Sequence, residues 1–284
     1  MPEIKIEGKK YNAKDRISAN NTDLLYEHIP EGETLLTIDN LNVTYVTDDK
    51  TTVAVDDISF DVKKGELLSI VGPSGCGKST ILRCIAGLLQ PTHGEIRIAG
   101  NLCTTAGSDR GMVFQDFALF PWRTVRQNIE FGLEIAKVPK EERRAHADKY
   151  LQAMGLSEFA DARIHELSGG MKQRVGIARA MIMHPAVILM DEPFGALDAQ
   201  TRNILQENLV RVLQNSNRTI IFVTHSVDEA LYLSDRVLLL TKRPAQIHDI
   251  ITVPGERPRQ RAAPEFAKMR QDILDYLKSQ NNII

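Results

Sequence analysis

The run Ser69-Ile70-Val71-Gly72-Pro73-Ser74-Gly75-Cys76-Gly77-Lys78-Ser79-Thr80 decides the fold: an apolar stretch enters a glycine-rich turn, and a helix-compatible segment leaves it. It satisfies GxxxxGK[ST] at every fixed position. Glycine lets the backbone bend so that successive N–H groups point inward, and a helix starting near Lys78 adds the positive end of its dipole. Such a turn cradles an anion. Lys78 is placed to reach the β- and γ-phosphates of a nucleotide as a mobile charge. Ser79 is placed to offer its hydroxyl to Mg²⁺, which takes hard oxygen ligands, and Thr80 to lie under the α-phosphate. A Gly-rich turn can also be a plain strand-to-helix connection, and the motif by itself specifies a nucleotide rather than a use for it.

Working outward, the chain has 284 residues, 43% of them hydrophobic, enough for one large domain or two small ones with a substantial core. No apolar run approaches the roughly 20 residues that span a bilayer, and Met1-Pro2-Glu3-Ile4-Lys5 lacks the apolar centre of a signal peptide, so a cytosolic chain is expected. A formal net charge of −2 argues against a nucleic-acid partner and assigns any membrane contact to a protein partner. Cys76, Cys84 and Cys103 have no metal-ligand spacing and read as reduced thiols. Cys76 lies inside the phosphate turn. It is either a small tolerated filler or a thiol whose modification obstructs the nucleotide, and thiol sensitivity with ATP protection is expected.

Residues 1–34 are polar and without a sustained period, and read as a tail. From Leu35 the pattern alternates through Tyr45, and again from Thr52 to Phe60, with Asp48-Asp49-Lys50 between, which predicts an antiparallel hairpin. Tyr45 is an ordinary strand aromatic or, given its place ahead of the phosphate turn, a face on which adenine stacks. The helix after the turn is expected to continue to near Pro91, with strands at Gly94–Ile98 and Gly111–Gln115. Gln115 is either a surface residue or an uncharged ligand for a metal or water. Beyond Asp116 the texture turns helical, and Phe117, Phe120, Pro121 and Trp122 suit either an interior of that segment or a groove on a partner.

Leu167-Ser168-Gly169-Gly170-Met171 opens another helix with an N-cap serine and uncovered N–H groups, a plain capped start or a second anion receiver. Val187-Ile188-Leu189-Met190-Asp191-Glu192 is a buried-strand run ending in two carboxylates, where open α/β sheets bind ligands. Asp191 is expected to hold Mg²⁺, mostly through water, and Glu192 to polarise an attacking water. Asp198 is a helix cap or part of a turn linking two subunits. The strand Thr219–Thr224 delivers His225, expected at the γ-phosphate. Two more strands, a Pro/Arg-rich link over 254–264 and an amphipathic helix over 266–277 complete the chain.

Together these residues resemble the ATP-binding cassette ATPases, in particular the nucleotide-binding subunit of a transporter, over about residues 35–252. On that resemblance Tyr45 is the adenine-stacking aromatic; Gly72, Pro73, Ser74, Gly75, Cys76, Gly77, Lys78, Ser79 and Thr80 form the Walker A loop; and Gln115 is the Q-loop. Leu167 to Gln173 is similar to the signature LSGGQ, with Met171 in place of its glutamine and Gln173 keeping an amide two positions on. Asp191 and Glu192 resemble Walker B and its catalytic acid, Asp198 the D-loop with Gly195 where serine is usual, and His225 the switch histidine.

The resemblance implies an α/β fold: a P-loop NTPase core with an N-terminal antiparallel β subdomain and a helical insertion at about 116–180. Residues 253–284 would be a linker and C-terminal helix. It implies catalysis by Glu192, His225, Lys78 and Gln115, with Mg²⁺ at Ser79, Gln115 and Asp191. It also implies two head-to-tail subunits, identical or close paralogues, in which Ser168, Gly169 and Gly170 of one cover the ATP on the other. The further implied partners are a membrane permease on whose cytoplasmic side the chain sits and, through it, a periplasmic or lipid-anchored solute-binding protein. The 114–122 run and the Thr241-Lys242-Arg243-Pro244 step look like the nitrate, sulfonate and taurine importers. The alternatives are an importer ATPase for another small solute, a soluble cassette ATPase of repair or translation, and a module that binds ATP without hydrolysing it. The short interval between Gln115 and Ser168 leaves no room for a long coiled-coil or zinc insertion of the soluble kind.

Overall fold

A computed structural model of the chain describes residues 4–6, 9–11, 29–47, 50–214, 218–261 and 263–281. Its strands are β1 (Ile4–Ile6), β2 (Lys9–Tyr11), β3 (Thr34–Thr47), β4 (Lys50–Lys63), β5 (Leu67–Val71) and β6 (His93–Ile98). There follow β7 (Asn101–Leu102), β8 (Arg110–Val113), β9 (Val187–Asp191), β10 (Thr219–Val223), β11 (Arg236–Leu240) and β12 (Ile247–Thr252). The helices are α1 (Lys78–Ile85), α2 (Val125–Ile129), α3 (Phe131–Ile135), α4 (Lys140–Ala153), α5 (Gly169–Met181), α6 (Ala199–Gln214), α7 (Val227–Leu233) and α8 (Pro264–Asn281). The chain forms two compact units, one of Gly107–Arg211 with the segment before Ile29, the other of Ile29–Ala106 with Val212–Ile284.

In the Ile29–Ala106 and Val212–Ile284 unit, β5 lies between β10 and β11 and is parallel to both, while β12 closes the edge antiparallel to β11. All residues of β5 and β10 are buried, which is why both read in sequence as near-continuous apolar runs, broken only by Ser69 and Thr219, rather than alternating ones. A separate antiparallel layer runs β4-β3-β6-β7, built on the predicted hairpin, with Tyr45 opposite Thr52.

Helix α1 stops at Ile85, short of the expected Pro91. Gly87 adopts φ +70°, its N–H donates to the Cys84 carbonyl at 2.9 Å, and the Leu88 N–H donates to the Arg83 carbonyl at 2.9 Å. This left-handed glycine stop satisfies the last carbonyls of the helix and leaves the chain free to turn. The C-terminal helix is longer than its predicted apolar stripe and belongs to the core. Phe266 and Ile273 pack with Val71, Leu231, Val237 and Leu239. The link before it is tied down as well: the Arg259 side chain is 2% exposed, and its Nε donates to the carbonyls of Pro254 and Gly255, both at 3.1 Å.

In the other unit β8 and β9 pair in parallel, Val113 opposite Met190, and β9 is wholly buried. The expected helical stretch holds α2, α3, α4 and α5. Helix α2 starts in a capping box, the Thr124 side chain accepting from the Gln127 N–H while Gln127 accepts from the Thr124 N–H. Within the segment read as a tail, β1 and β2 pair antiparallel, Ile4 opposite Tyr11. Three-residue strands lie below what periodicity detects.

Candidate functional site

The phosphate turn sits where β5 ends. Gly75 (φ +69°) and Gly77 (φ +133°) occupy backbone conformations that L side chains rarely take. Gly77 also has no room: a Cβ there would stand 2.9 Å from the Ala54 carbonyl oxygen. As N-cap of α1 it supplies no side-chain hydrogen bond, so the first N–H groups of the helix have no capping side chain over them. Lys78 is buried, and its Nζ donates to the Gly72 carbonyl at 2.9 Å and the Pro73 carbonyl at 3.0 Å, folding the ammonium over the turn. Ser79 and Thr80 are half-buried in the first turn of α1. Tyr45, 40% exposed, brings its hydroxyl to 3.3 Å from Thr80 Oγ1, and so stands beside the phosphate turn with an open ring.

Parallel pairing of β10 with β5, Val223 opposite Ile70, carries the end of β10 to the same sheet edge. Buried Thr224 donates its Oγ1 hydrogen to Glu229 Oε2 at 2.6 Å, and Ser226 caps α7 by accepting from the Glu229 N–H. His225 lies between these two fixed residues and is exposed.

A second edge is formed by β8 and β9. Gln115 follows β8 in an exposed turn, and Asp191 and Glu192 end the adjacent strand, so the pairing register brings the amide and the two carboxylates to one side. Asp191 is 7% exposed. Glu192 has φ +43°, a strained conformation for a non-glycine residue, held in a turn whose Gly195 N–H donates to the Glu192 carbonyl at 3.1 Å. The Gln115 turn is also braced: Arg179 of α5 donates to the carbonyls of Ala118 at 2.7 Å and Phe117 at 3.0 Å.

At the start of α5, Ser168 is exposed and its Oγ accepts from the Met171 N–H at 3.3 Å. Gly169 is exposed and Gly170 buried; a Cβ on Gly170 would stand 2.6 Å from Thr201 Cγ2 of α6. Asp198 Oδ1 accepts from the N–H groups of Gln200 at 3.1 Å and Thr201 at 3.0 Å, so it caps α6, and the Thr201 bonds lead in holding its carboxyl below the usual range.

Three readings left open by the sequence are narrowed. Gln173 does not substitute for the missing glutamine of the signature: it is 0% exposed, with no hydrogen-bond partner on either amide atom among the described residues. Helical geometry explains this, because two residues on is the far side of the helix. Cys76 is 1% exposed and burial pushes its thiol pKa up, both of which favour the filler over the reactive thiol. Trp122 is 69% exposed, with its ring 5.6 Å from that of Phe120, so it does not serve as the interior of the helical segment. A residue whose part the sequence concealed is Arg243, whose Nη2 donates to the Gly75 carbonyl at 2.7 Å. The proline after it marked a turn, but nothing local showed which loop the turn meets.

The ABC transporter family profile matches residues 55–195. An uncharacterized ABC transporter ATP-binding protein of Methanocaldococcus jannaschii is 49% identical over 245 residues, 86% of this chain and 92% of that protein. The nitrate import ATP-binding protein NrtD of Synechocystis is 46% identical over 252 residues, 86% of this chain and 95% of that one. Among solved structures, the dimeric post-hydrolysis state of the ATP-binding cassette MJ0796 bound to ADP and Pi superposes with a TM-score of 0.69 at 31% identity, covering 78% of this chain and 100% of that one. With the phosphate turn, the carboxylate-ended strand and the serine-capped helix in place, the chain belongs to the ABC transporter family as an ATPase subunit.

Proposed function

We propose that the chain energises uptake of a small oxyanion, of the nitrate, sulfonate or taurine kind, by hydrolysing ATP at a site completed by a second copy or a close paralogue. In this reading Lys78 exchanges its bonds to the Gly72 and Pro73 carbonyls for the β- and γ-phosphate oxygens, and Tyr45 offers its ring to adenine. Ser79, Gln115 and Asp191 are hard oxygen donors, the type that Mg²⁺ takes, and the ion would neutralise phosphate charge there. Glu192 accepts the proton of the attacking water, while His225 and the opposing copy's Ser168-Gly169-Gly170 start stabilise charge on the phosphoryl group.

The observation that carries the reading is the exposed start of α5, where Ser168 caps the helix within its own chain and both Ser168 and Gly169 face solvent. Among the described residues no helix is long and apolar enough to cross a membrane. The solute's path would be a membrane permease, with this chain peripheral on its cytoplasmic side, a reading supported by the similarity to import ATP-binding proteins. Exposed Trp122 beside Phe120 is the contact proposed for that permease, and a solute-binding protein would deliver the oxyanion to it. The similarity to a nitrate import protein supports the solute class.

The test is Glu192→Gln. It should bind ATP as the wild type does while turnover falls at least about 100-fold, the usual scale for a lost general base. Near-wild-type turnover contradicts the assignment. Trp122→Ala should weaken co-purification with the permease and leave ATP turnover of the isolated chain unchanged.

A further inference from the structure

The turn between β11 and β12, Thr241 to Gln246, is held more tightly than a surface connection requires. Ala245 donates to the Ala54 carbonyl and accepts from the Asp56 N–H, both at 2.9 Å. Gln246 Nε2 donates to Asp56 Oδ2 at 2.8 Å, and Thr241 exchanges hydrogen bonds with Gln246 across the turn. On its other side the Lys242 N–H donates to Gln280 Oε1 of α8 at 3.3 Å, and Tyr276 of the same helix stacks on His248 at 3.8 Å with ring planes 10° apart. The turn is thus fixed to β4 and to the terminal helix without help from Arg243.

What Arg243 adds is directed at the phosphate turn. Its Nη2 and Nε donate to one oxygen, the Gly75 carbonyl, at 2.7 and 3.2 Å. Gly75 is one of the two left-handed glycines of the cradle, so this fork fixes a peptide plane that has no steric preference of its own. Among the described residues no carboxylate lies within ion-pair distance of Arg243. A second uncompensated cation therefore stands beside a cradle that already holds Lys78. Its partner is a carbonyl that a charged donor holds more strongly than a neutral one.

We propose that Arg243 is a positioning residue for the ATP phosphates: anchored by the turn and the terminal helix, it holds the Gly75 peptide in its phosphate-receiving form and adds positive charge at the rim. The proposal rests on the reading of residues 72–80 as the ATP cradle. It makes ATP affinity, rather than the chemical step, the quantity that Arg243 controls.

The test measures ATP affinity by calorimetry and steady-state turnover for the full-length wild type, Arg243→Ala, Arg243→Lys and Gln280→Ala, with thermal unfolding of each without nucleotide. Arg243→Ala should raise Kd and KM about tenfold, the scale of a charge-assisted hydrogen bond, with kcat at saturating ATP within about twofold of wild type. Arg243→Lys keeps the charge without the fork and should recover part of the loss. Gln280→Ala should shift Kd in the same direction by less. Unchanged Kd in Arg243→Ala and Arg243→Lys, with wild type binding ATP normally, overturns the proposal. So does a loss confined to kcat, or an affinity loss matched by a fall in melting temperature that Arg243→Lys does not reverse. A wild type that fails to bind ATP would instead remove the cradle reading on which the proposal stands.

Discussion

The two glycine-bearing helix starts of the molecule, at Lys78 and at Gly169, solve the same problem in opposite ways. At α1 the N-cap is a glycine with φ +133° and no side chain to close the helix end, and Lys78 folds back over the turn. At α5 the cap is Ser168, whose own hydroxyl occupies the Met171 N–H. The first start leaves its leading N–H groups without a capping side chain. The second is already satisfied as a helix end and differs from an ordinary one only in presenting serine and glycine at an exposed face. An anion that meets both would be enclosed by the first and covered by the second, which is the division of labour expected when the two belong to different copies.

The comparison breaks most sharply at its glycines. Gly77→Ala puts a Cβ against the Ala54 carbonyl and forces a left-handed residue, for a cost on the order of 1–3 kcal/mol from the backbone alone. ATP binding should be lost with it, as read by calorimetry. Gly170→Ala crowds the Thr201 methyl and touches Leu205 at ordinary contact distance, and alanine returns up to about 1 kcal/mol of helix propensity, so chemical denaturation should find a smaller net loss. If the two substitutions cost the same and both abolish ATP binding by the single chain, the distinction between the helix starts fails.

Ser168→Ala sharpens it further. Losing an N-cap should cost about 1 kcal/mol in denaturation, with ATP affinity of the single chain unchanged. Turnover should nonetheless fall by far more than that destabilisation explains, because the hydroxyl is proposed to act on a neighbour's nucleotide. A loss of turnover no larger than the loss of folded protein would reduce Ser168 to a helix cap.

The smallest effect lies away from both starts. Glu134 in the helical segment accepts from Arg123 at 2.6 Å, and that bond first, then the Arg123 charge, holds its carboxyl below the usual value. A depressed carboxylate contributes stability above its unfolded pKa, and that contribution fades as pH falls through the folded one. Glu134→Gln should therefore lower stability at pH 7 by well under about 1 kcal/mol, since the pair is partly exposed, and by progressively less as pH falls below the usual carboxylate range. A difference that persists into acid would mean the side chain matters by packing and not by charge.

What the sequence discloses follows from how local each feature is. The runs at 67–71, 187–191 and 219–223 are legible because strands buried on both faces are apolar at nearly every position. At the ends of the last two runs, Asp191, Glu192 and His225 stand out as polar groups. The phosphate turn is legible because its conformation demands glycine. Concealed features depend on contacts distant in sequence. Burial of Gln173 depends on which side of α5 faces inward, the burial of Cys76 on what packs over it, and the role proposed for Arg243 on a turn that meets a loop about 170 residues earlier. The early end of α1 is an intermediate case. Gly87 is a visible stop, but the apolar residues Leu88 and Leu89 beyond it extend the helical pattern.

The central claim, one active site shared by two copies, is tested most directly by the mass in solution of Glu192→Gln with saturating Mg–ATP, measured by light scattering, alone and with its permease. The account predicts a shift from one chain to two that depends on ATP and disappears in Lys78→Ala. A preparation that binds ATP yet stays at the mass of a single chain under both conditions contradicts it.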